Sequence, residues 1–285
     1  GDNSGCWVFP IENEDDKIIV RSNGVATYVA KDIPYAAWKL GILADPFNYA
    51  VYATQPNGKT LYETTLEETQ VSKQSFTANN VITVIDNRQT NLQKIVTNIM
   101  SKFNPESSYV HLGYEAVTLS SETAKVLGNE TDGKDVQMSG RKGLYVNADE
   151  IITKLEKHIL LESKERNDDL DNTSLNEIAH NVAIGTIRYE LIKPDLGKII
   201  TFDINTSLKL EGDTCSYIQY SCVRAARILE KFGKEPNFDI QFDQLNTEYE
   251  IRLIKQIGLF EVFVNDAAKN YSPKVIAKYC YDLAV

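Results

Sequence analysis

The chain has 285 residues, 42% of them hydrophobic and 25% charged, with a formal net charge of −10. That length admits two domains, and the composition is ordinary for a globular protein with a sizeable core. No apolar run approaches the roughly 18 residues that a membrane-spanning helix needs, so no membrane association is expected. A general polyanion binder would be basic. Any nucleic-acid contact must therefore come from local cationic patches on an acidic body, whose acid excess sits mostly in residues 1–173.

The opening GDNSGCWVFPIENEDDK shows neither a basic segment followed by an apolar one nor an initiator Met. The four cysteines, Cys6, Cys215, Cys222 and Cys280, form no CxxC. With His111, His158 and His180 they give no zinc-like spacing, so no metal site is expected. They read as reduced structural thiols of a cytoplasmic protein.

The first half alternates strand and helix patterns. DKIIVRS (16–22) reads as a strand. AKDIPYAAWKLG (30–41) reads as a helix capped by Asp32, with Pro34 in its first turn and Gly41 as a stop. QPNGK reads as a hairpin-like turn. NVITVID (80–86) has the continuous apolar run of a central parallel strand. QTNLQKIVTNIMSKF (89–103) follows as a helix with Leu92, Ile95, Ile99 and Phe103 on one face. YVHLGYEAVTLS (109–120) alternates like a strand. This order predicts a parallel α/β sheet.

Beyond residue 150 the pattern turns helical. The polar stretch 164–174 reads as a break. Ser174-Leu-Asn-Glu177 has the form of a capping box. It opens a helix with Leu175, Ile178, Val182, Gly185, Tyr189 and Ile192 on its apolar face, stopped by Pro194. IQYSCVRAARILEKFG repeats the pattern through Ile218, Cys222, Ala225, Leu229 and Phe232. Thr247 and Glu250 predict another helix start, and Ser272-Pro273 the last one.

Two stretches carry chemistry. QMSGRKG (137–143) supplies two glycines, a hydroxyl and two cations between a strand and a helix. By itself it is either a solvated turn or a mobile loop whose amides and cations grip phosphate. Tyr217, Tyr220, Arg224, Arg227, Lys231 and Lys234 recur every three or four residues on one helix face, beside the apolar stripe. Interleaved aromatics and cations suit RNA, although a solvated amphipathic face has the same spacing.

In order along the chain, RSNGVATYVAKDIPYAAWKLG (21–41), VITVIDNRQTNLQKIV (81–96), HLGYEAVTLS (111–120), QMSGRKG, IAHNVAIGTIRYELIK (178–193), LKLEGDTCSYIQYSCVRAARIL (208–229) and NYSPKVIAKYCYDLA (270–284) together resemble the arginyl-tRNA synthetases, class I aminoacyl-tRNA synthetases. The resemblance implies an α/β fold. Residues 1–150 would be the second half of a Rossmann-type catalytic domain including the loop 137–143. Residues 151–173 would be a helical linker and stem-contact region, and 174–285 an all-α anticodon-binding bundle.

The resemblance also implies roles. Tyr28 and Asp32 fall on the family's Tyr-x-x-x-Asp pair and Gln89 on its Arg-Gln segment, which together bind arginine. Met138, Ser139, Arg141 and Lys142 fall on the catalytic loop that closes over ATP, with Mg²⁺ accompanying the nucleotide. Tyr217, Tyr220, Arg224, Arg227, Lys231 and Lys234 would face tRNA(Arg).

Several positions depart from the family pattern. Gln137 stands where many synthetases have a lysine, Asn23 where an Asp is usual, and Cys215-Ser216 where Gly-Pro is usual. The H-x-G-H signature is absent; in His111-Leu-Gly113-Tyr114 a tyrosine replaces the second His. The family places that signature upstream. The resemblance therefore implies an internal stretch of an arginine–tRNA ligase, inactive alone and self-associating through a raw sheet edge, while the intact enzyme is a monomer. The alternative is a non-catalytic tRNA-binding paralogue.

Overall fold

The computed structural model describes residues 5–10, 15–69, 71, 77–128, 132–137, 147–166, 170–235 and 242–285. The chain divides into two compact units, Gly1–Tyr114 and Glu115–Val285. The expected domain boundary at 150 falls inside the second unit.

The first unit opens with β1 (Trp7–Phe9) antiparallel to β2 (Lys17–Val20). A turn through Gly24, at φ 79°, brings the chain back. There the Thr27 amide and hydroxyl both donate to the Ile19 carbonyl, at 2.9 and 2.8 Å. Thr27 thus precedes helix α1 (Tyr28–Lys39) as its N-cap. The expected cap, Asp32, lies instead a full turn inside the helix, and Pro34 lies in the second turn. Gly41 does end the helix, at φ 68°, in a conformation that L side chains rarely adopt.

Strands β3 (Asn48–Thr54) and β4 (Thr60–Thr65) form an antiparallel hairpin whose turn is the predicted QPNGK. Its closing bonds run from Gln55 N to Lys59 O and from Gly58 N to Gln55 O, at 2.8 and 2.9 Å. Then come β5 (Asn80–Asp86), a short 3-10 turn (Asn87–Gln89), α2 (Thr90–Phe103) and β6 (Ser108–Tyr114), with β5 and β6 paired in parallel from Asn80↔Ser108 to Asp86↔Tyr114. The strand–helix–strand unit read from the sequence is present. The buried face of α2 is Gln93, Val96 and Met100, with Ile95 beside it, whereas the expected Phe103 is 70% exposed. Ala36, Ala37 and Leu40 of the α1 end complete this core with Val81 and Tyr109. On β5, Ile82 and Val84 face solvent.

The second unit contains β7 (Val117–Leu119), α3 (Ser121–Val126), β8 (Val136–Gln137), α4 (Ala148–Arg166), α5 (Asn172–Ile192) and β9 (Ile200–Phe202). Strand β9 pairs in parallel with β7, and β8 pairs antiparallel on the other side of β7. The bundle was expected to be all-α from residue 174, so β9 is a difference. Its three residues are too short to show a strand period, and only the distant partner makes them a strand. The helices α6 (Ile204–Ser207), α7 (Cys215–Phe232), α8 (Glu248–Gly258), α9 (Phe260–Lys269) and α10 (Pro273–Ala284) complete the chain.

Leu119, Ala124, Leu155, Ile159, Ala179, Ala183, Phe202 and Ile204 form this unit's core. Alanines at 179 and 183 let α4 and α5 approach closely. The buried line of α5 is therefore Leu175, Ala179, Ala183, Thr186 and Tyr189, and the predicted Ile178 and Ile192 lie at its flanks. The cap of α5 is Asp171, whose carboxylate accepts from Ser174 N and Oγ at 2.9 and 3.0 Å. Ser174 is thus a donor to the cap. The capping box at Thr247 and Glu250 is present in both directions.

A hydrogen-bonded clasp holds the strand ends. Ser120 Oγ donates to Asp203 Oδ2 at 2.5 Å, and Thr206 N donates to Asp203 Oδ1 at 2.7 Å. Burial pushes the Asp203 carboxyl up, but the bonds from Ser120, Thr206 and Asn205 outweigh it and hold the group below its ordinary value. A lowered carboxyl contributes stability above its unfolded value, near pH 4, and loses it as pH falls through the folded value. Asp203→Asn keeps a capping side chain but removes the charge. Its stability should fall less than the unsubstituted protein's between about pH 6 and pH 3, as measured by urea denaturation.

Candidate functional site

Helix α1 puts Tyr28 and Asp32 one turn apart, on one face. Tyr28 is 81% exposed, with Lys31 Nζ 6.0 Å from its ring centre. Asp32 is half-buried and reaches inward, where Gln93 Nε2 donates to its Oδ2 at 3.1 Å. Gln93 is 1% exposed. Its Oε1 accepts from the Tyr109 hydroxyl at 2.9 Å, which in turn accepts from Thr83 Oγ1 at 2.9 Å. One chain of hydrogen bonds thus joins α1, α2, β6 and β5. Burial raises the Tyr109 phenol above its ordinary value, so it remains a donor. A cavity of about 150 Å³ adjoins the chain, lined by Asp32, Lys39, Thr83, Ile85, Gln93 and Tyr109. Lys39 Nζ rests on the Tyr35 ring at 4.1 Å, and Asp32 makes no ion pair among the described residues.

Gln89 ends the 3-10 turn and is the N-cap residue of α2, half-buried and one turn before Gln93. The preceding turn is braced by Asp86. Its carboxylate accepts from the Arg88 guanidinium at 2.8 Å through both oxygens, and from Arg88 N at 2.8 Å. These bonds hold the Asp86 carboxyl down at about 2. The structure thus joins Asp32 to α2 but through Gln93, a residue the sequence reading passed over. The available signal was a glutamine on the apolar face of α2, in line with Val96 and Met100.

The partial signature His111-Leu-Gly113 makes strand contacts instead. His111 Nε2 donates to Ile85 O of β5 at 3.0 Å. A Cβ on Gly113 would stand 1.9 Å from Asn87 Oδ1, so a larger residue there would require the Asn87 side chain to turn away. His180 is exposed, and its Nδ1 pairs with Glu156 at 2.6 Å across α5 and α4.

The loop residues Met138, Ser139, Arg141 and Lys142 lie outside the described residues. Their flanks match expectation in part: helix α4 starts at Ala148, but α3 and β8 intervene after Ser120.

Thr214 caps α7, accepting from Tyr217 N at 3.2 Å and donating to Lys209 O at 2.6 Å. The start of the helix is therefore firm without the Gly-Pro pair. Burial first, and Glu190 second, push the Cys215 thiol up to about 11. Tyr189 donates to Asp213 at 2.5 Å, anchoring the turn before α7 to α5. The six predicted contact residues then divide. Tyr217 is half-buried against Tyr281 of α10, ring centres 5.9 Å apart. Tyr220 is exposed and lies 5.7 Å under the Arg224 guanidinium. Arg227 is paired with Glu230 at 2.8 Å, while Lys231 and Lys234 are exposed. The apolar stripe beside them was expected to be buried, yet Leu229 and Phe232 are 62% and 61% exposed. Among the described residues, only the first half of α7 is covered, by α5 and α10.

The DALR anticodon binding domain family matches residues 218–285, from early α7 to the end of α10. An arginine–tRNA ligase of Deinococcus radiodurans is 32% identical over 300 residues, covering 100% of this chain and 46% of that protein. One of Thermus thermophilus is 34% identical over 275 residues, covering 94% of this chain and 42% of that protein. The solved Thermus thermophilus arginyl-tRNA synthetase superposes on the whole chain with a TM-score of 0.79 at 30% identity, using 45% of its own length. The chain belongs to the arginyl-tRNA synthetase family. It spans about half the length of the curated relatives it matches. The arginyl-tRNA synthetase of Plasmodium falciparum shares the fold at 19% identity, with a TM-score of 0.67. Within this arginyl-tRNA synthetase framework the DALR-matched stretch contains most of the aromatic–cationic face of α7, from Tyr220 onward.

The division along that face is testable. Tyr217→Ala removes a half-buried ring contact and should cost about 2 kcal/mol of stability. Lys231→Ala, at an exposed position, should stay within about 0.5 kcal/mol of the unsubstituted chain. Chemical denaturation of the two variants side by side checks both.

Proposed function

We propose that the protein containing this chain is an arginine–tRNA ligase. What supports the reading is that relatives named arginine–tRNA ligase match the chain from end to end, across the segment with Tyr28, Asp32 and Gln89 and across α7. In this reading the arginine carboxylate attacks the α-phosphorus of ATP, pyrophosphate leaves, and arginyl-adenylate forms. A terminal ribose hydroxyl of tRNA(Arg) then attacks the arginyl carbonyl, and AMP leaves. The work falls to positioning and charge stabilisation, with no covalent enzyme intermediate.

The residues divide accordingly. Asp32 pairs with the substrate guanidinium, Tyr28 offers it an aromatic face, and Gln89 binds beside them. Met138, Ser139, Arg141 and Lys142 close over ATP within a Rossmann-type catalytic domain. Mg²⁺ would come with the ATP phosphates. Tyr217 shapes the face on which Tyr220, Arg224, Arg227, Lys231 and Lys234 meet tRNA. No described helix is long and apolar enough to cross a membrane, and the intact protein is read as a cytoplasmic monomer.

Arginine-dependent ATP–pyrophosphate exchange by the full-length protein with tRNA present tests the reading. Exchange driven by a different amino acid would overturn it, and tRNA binding without exchange would assign the paralogue role instead. Asp32→Asn should raise KM for arginine by about 30-fold or more, the cost of a lost buried charge partner. Arg224→Glu should weaken tRNA binding and reduce its salt dependence by about one phosphate contact.

A further inference from the structure

Asp32 is half-buried, carries no cationic partner among the described residues and is approached by one neutral donor, Gln93. A free carboxylate at the mouth of a cavity could adopt several rotamers. Here one oxygen, Oδ2, is tied at 3.1 Å, and Oδ1 makes no hydrogen bond among the described residues. The tie is itself oriented. If the Gln93 amide flipped, its oxygen would oppose the carboxylate and its NH₂ would displace the Tyr109 proton. As it stands, Thr83 donates to Tyr109, Tyr109 to Gln93 Oε1 and Gln93 Nε2 to Asp32. Every proton in the series points toward the carboxylate. The chain therefore presents an acceptor-only group whose remaining oxygen can be met only by a donor. Lys39, the cation lining the same cavity, is engaged on the Tyr35 ring.

We infer that Gln93 is a positioning residue for arginine recognition: it fixes Asp32 so that its free oxygen meets a guanidinium and rejects a neutral urea of the same shape. This rests on the proposed ligase reading. A guanidinium offers donors on every edge. The urea group of citrulline turns a carbonyl oxygen toward the carboxylate in one orientation and brings no charge in the other. The buried relay removes the rotamers by which Asp32 could evade that clash, which makes Gln93 a determinant of specificity as well as of affinity.

The test uses the full-length protein in arginine-dependent pyrophosphate exchange. Gln93→Leu should raise KM for arginine about tenfold, the loss of one hydrogen bond to a charged group. KM for ATP and kcat should stay within twofold. Citrulline, assayed as a competitive inhibitor, should lose less affinity than arginine. Tyr109→Phe keeps the ring and removes the hydroxyl that accepts from Thr83 and orients the amide, so it should move KM for arginine the same way by about threefold. It also serves as the variant of record if Gln93→Leu does not fold. Unchanged KM for arginine in the folded variants overturns the inference. So does a parallel loss in KM for ATP and kcat, which would mark a merely structural residue. No arginine-dependent exchange by the unsubstituted protein overturns the ligase reading and this inference together, so the two failures are distinguishable.

Discussion

Strands β7 and β9 pair in parallel although their residues, such as Thr118 and Thr201, stand 83 positions apart. A parallel pair cannot be closed by a tight turn, so the intervening chain must cross over and cover the sheet. Helices α4 and α5 are that cover, and Leu155, Ala179 and Ala183 are buried because they press on Leu119 and Phe202. The clasp from Ser120 to Asp203 closes the same junction. Without this pairing the alanine face of α5 would lose the strand residues it packs on.

The first unit solves a different problem. Gln93 brings an amide into a core of Val96, Met100 and Ala36, a costly placement unless its polar atoms find partners. They do, with Tyr109 and Asp32, so the cost of burial is offset and the amide acquires a single orientation. Such satisfied chains recur where a side chain must be held at a functional position. The helix pair α1–α2 is accordingly set by polar directionality as well as by apolar packing.

Much of this was legible in the sequence, for reasons that are local. The hairpin at QPNGK follows from turn chemistry, β5 from a run of β-branched residues and the α8 start from a reciprocal cap. The ordered motifs also pointed to the family. Less legible were features decided by distant partners. Strand β9 exists because β7 lies beside it. Asp32 looked like a cap because nothing local announces that Thr27 is already tied to Ile19. On α5, alanines outrank isoleucines because a neighbouring helix approaches closely. On α7 the apolar stripe has the right period, but periodicity states which side is apolar and not whether anything covers it. The candidate site followed the same rule: Tyr28, Asp32 and Gln89 came from motif, whereas Gln93 and Tyr109 emerged only once β6 and α2 were brought together.

Gly113 gives the β5–β6 pair a safeguard against mispairing. Two parallel strands of similar apolar character can slide by one residue at little cost in backbone bonding, and such a slip turns every side chain to the wrong face. Here the Asn87 side chain lies against Gly113, and a Cβ at that position would push it aside. Slipped either way, Leu112 or Tyr114 would displace that amide. The missing methyl thus acts as a notch in β6 that favours one alignment with the turn. The residues of that turn lead directly into α2, which carries Gln93 from the level of Gln89.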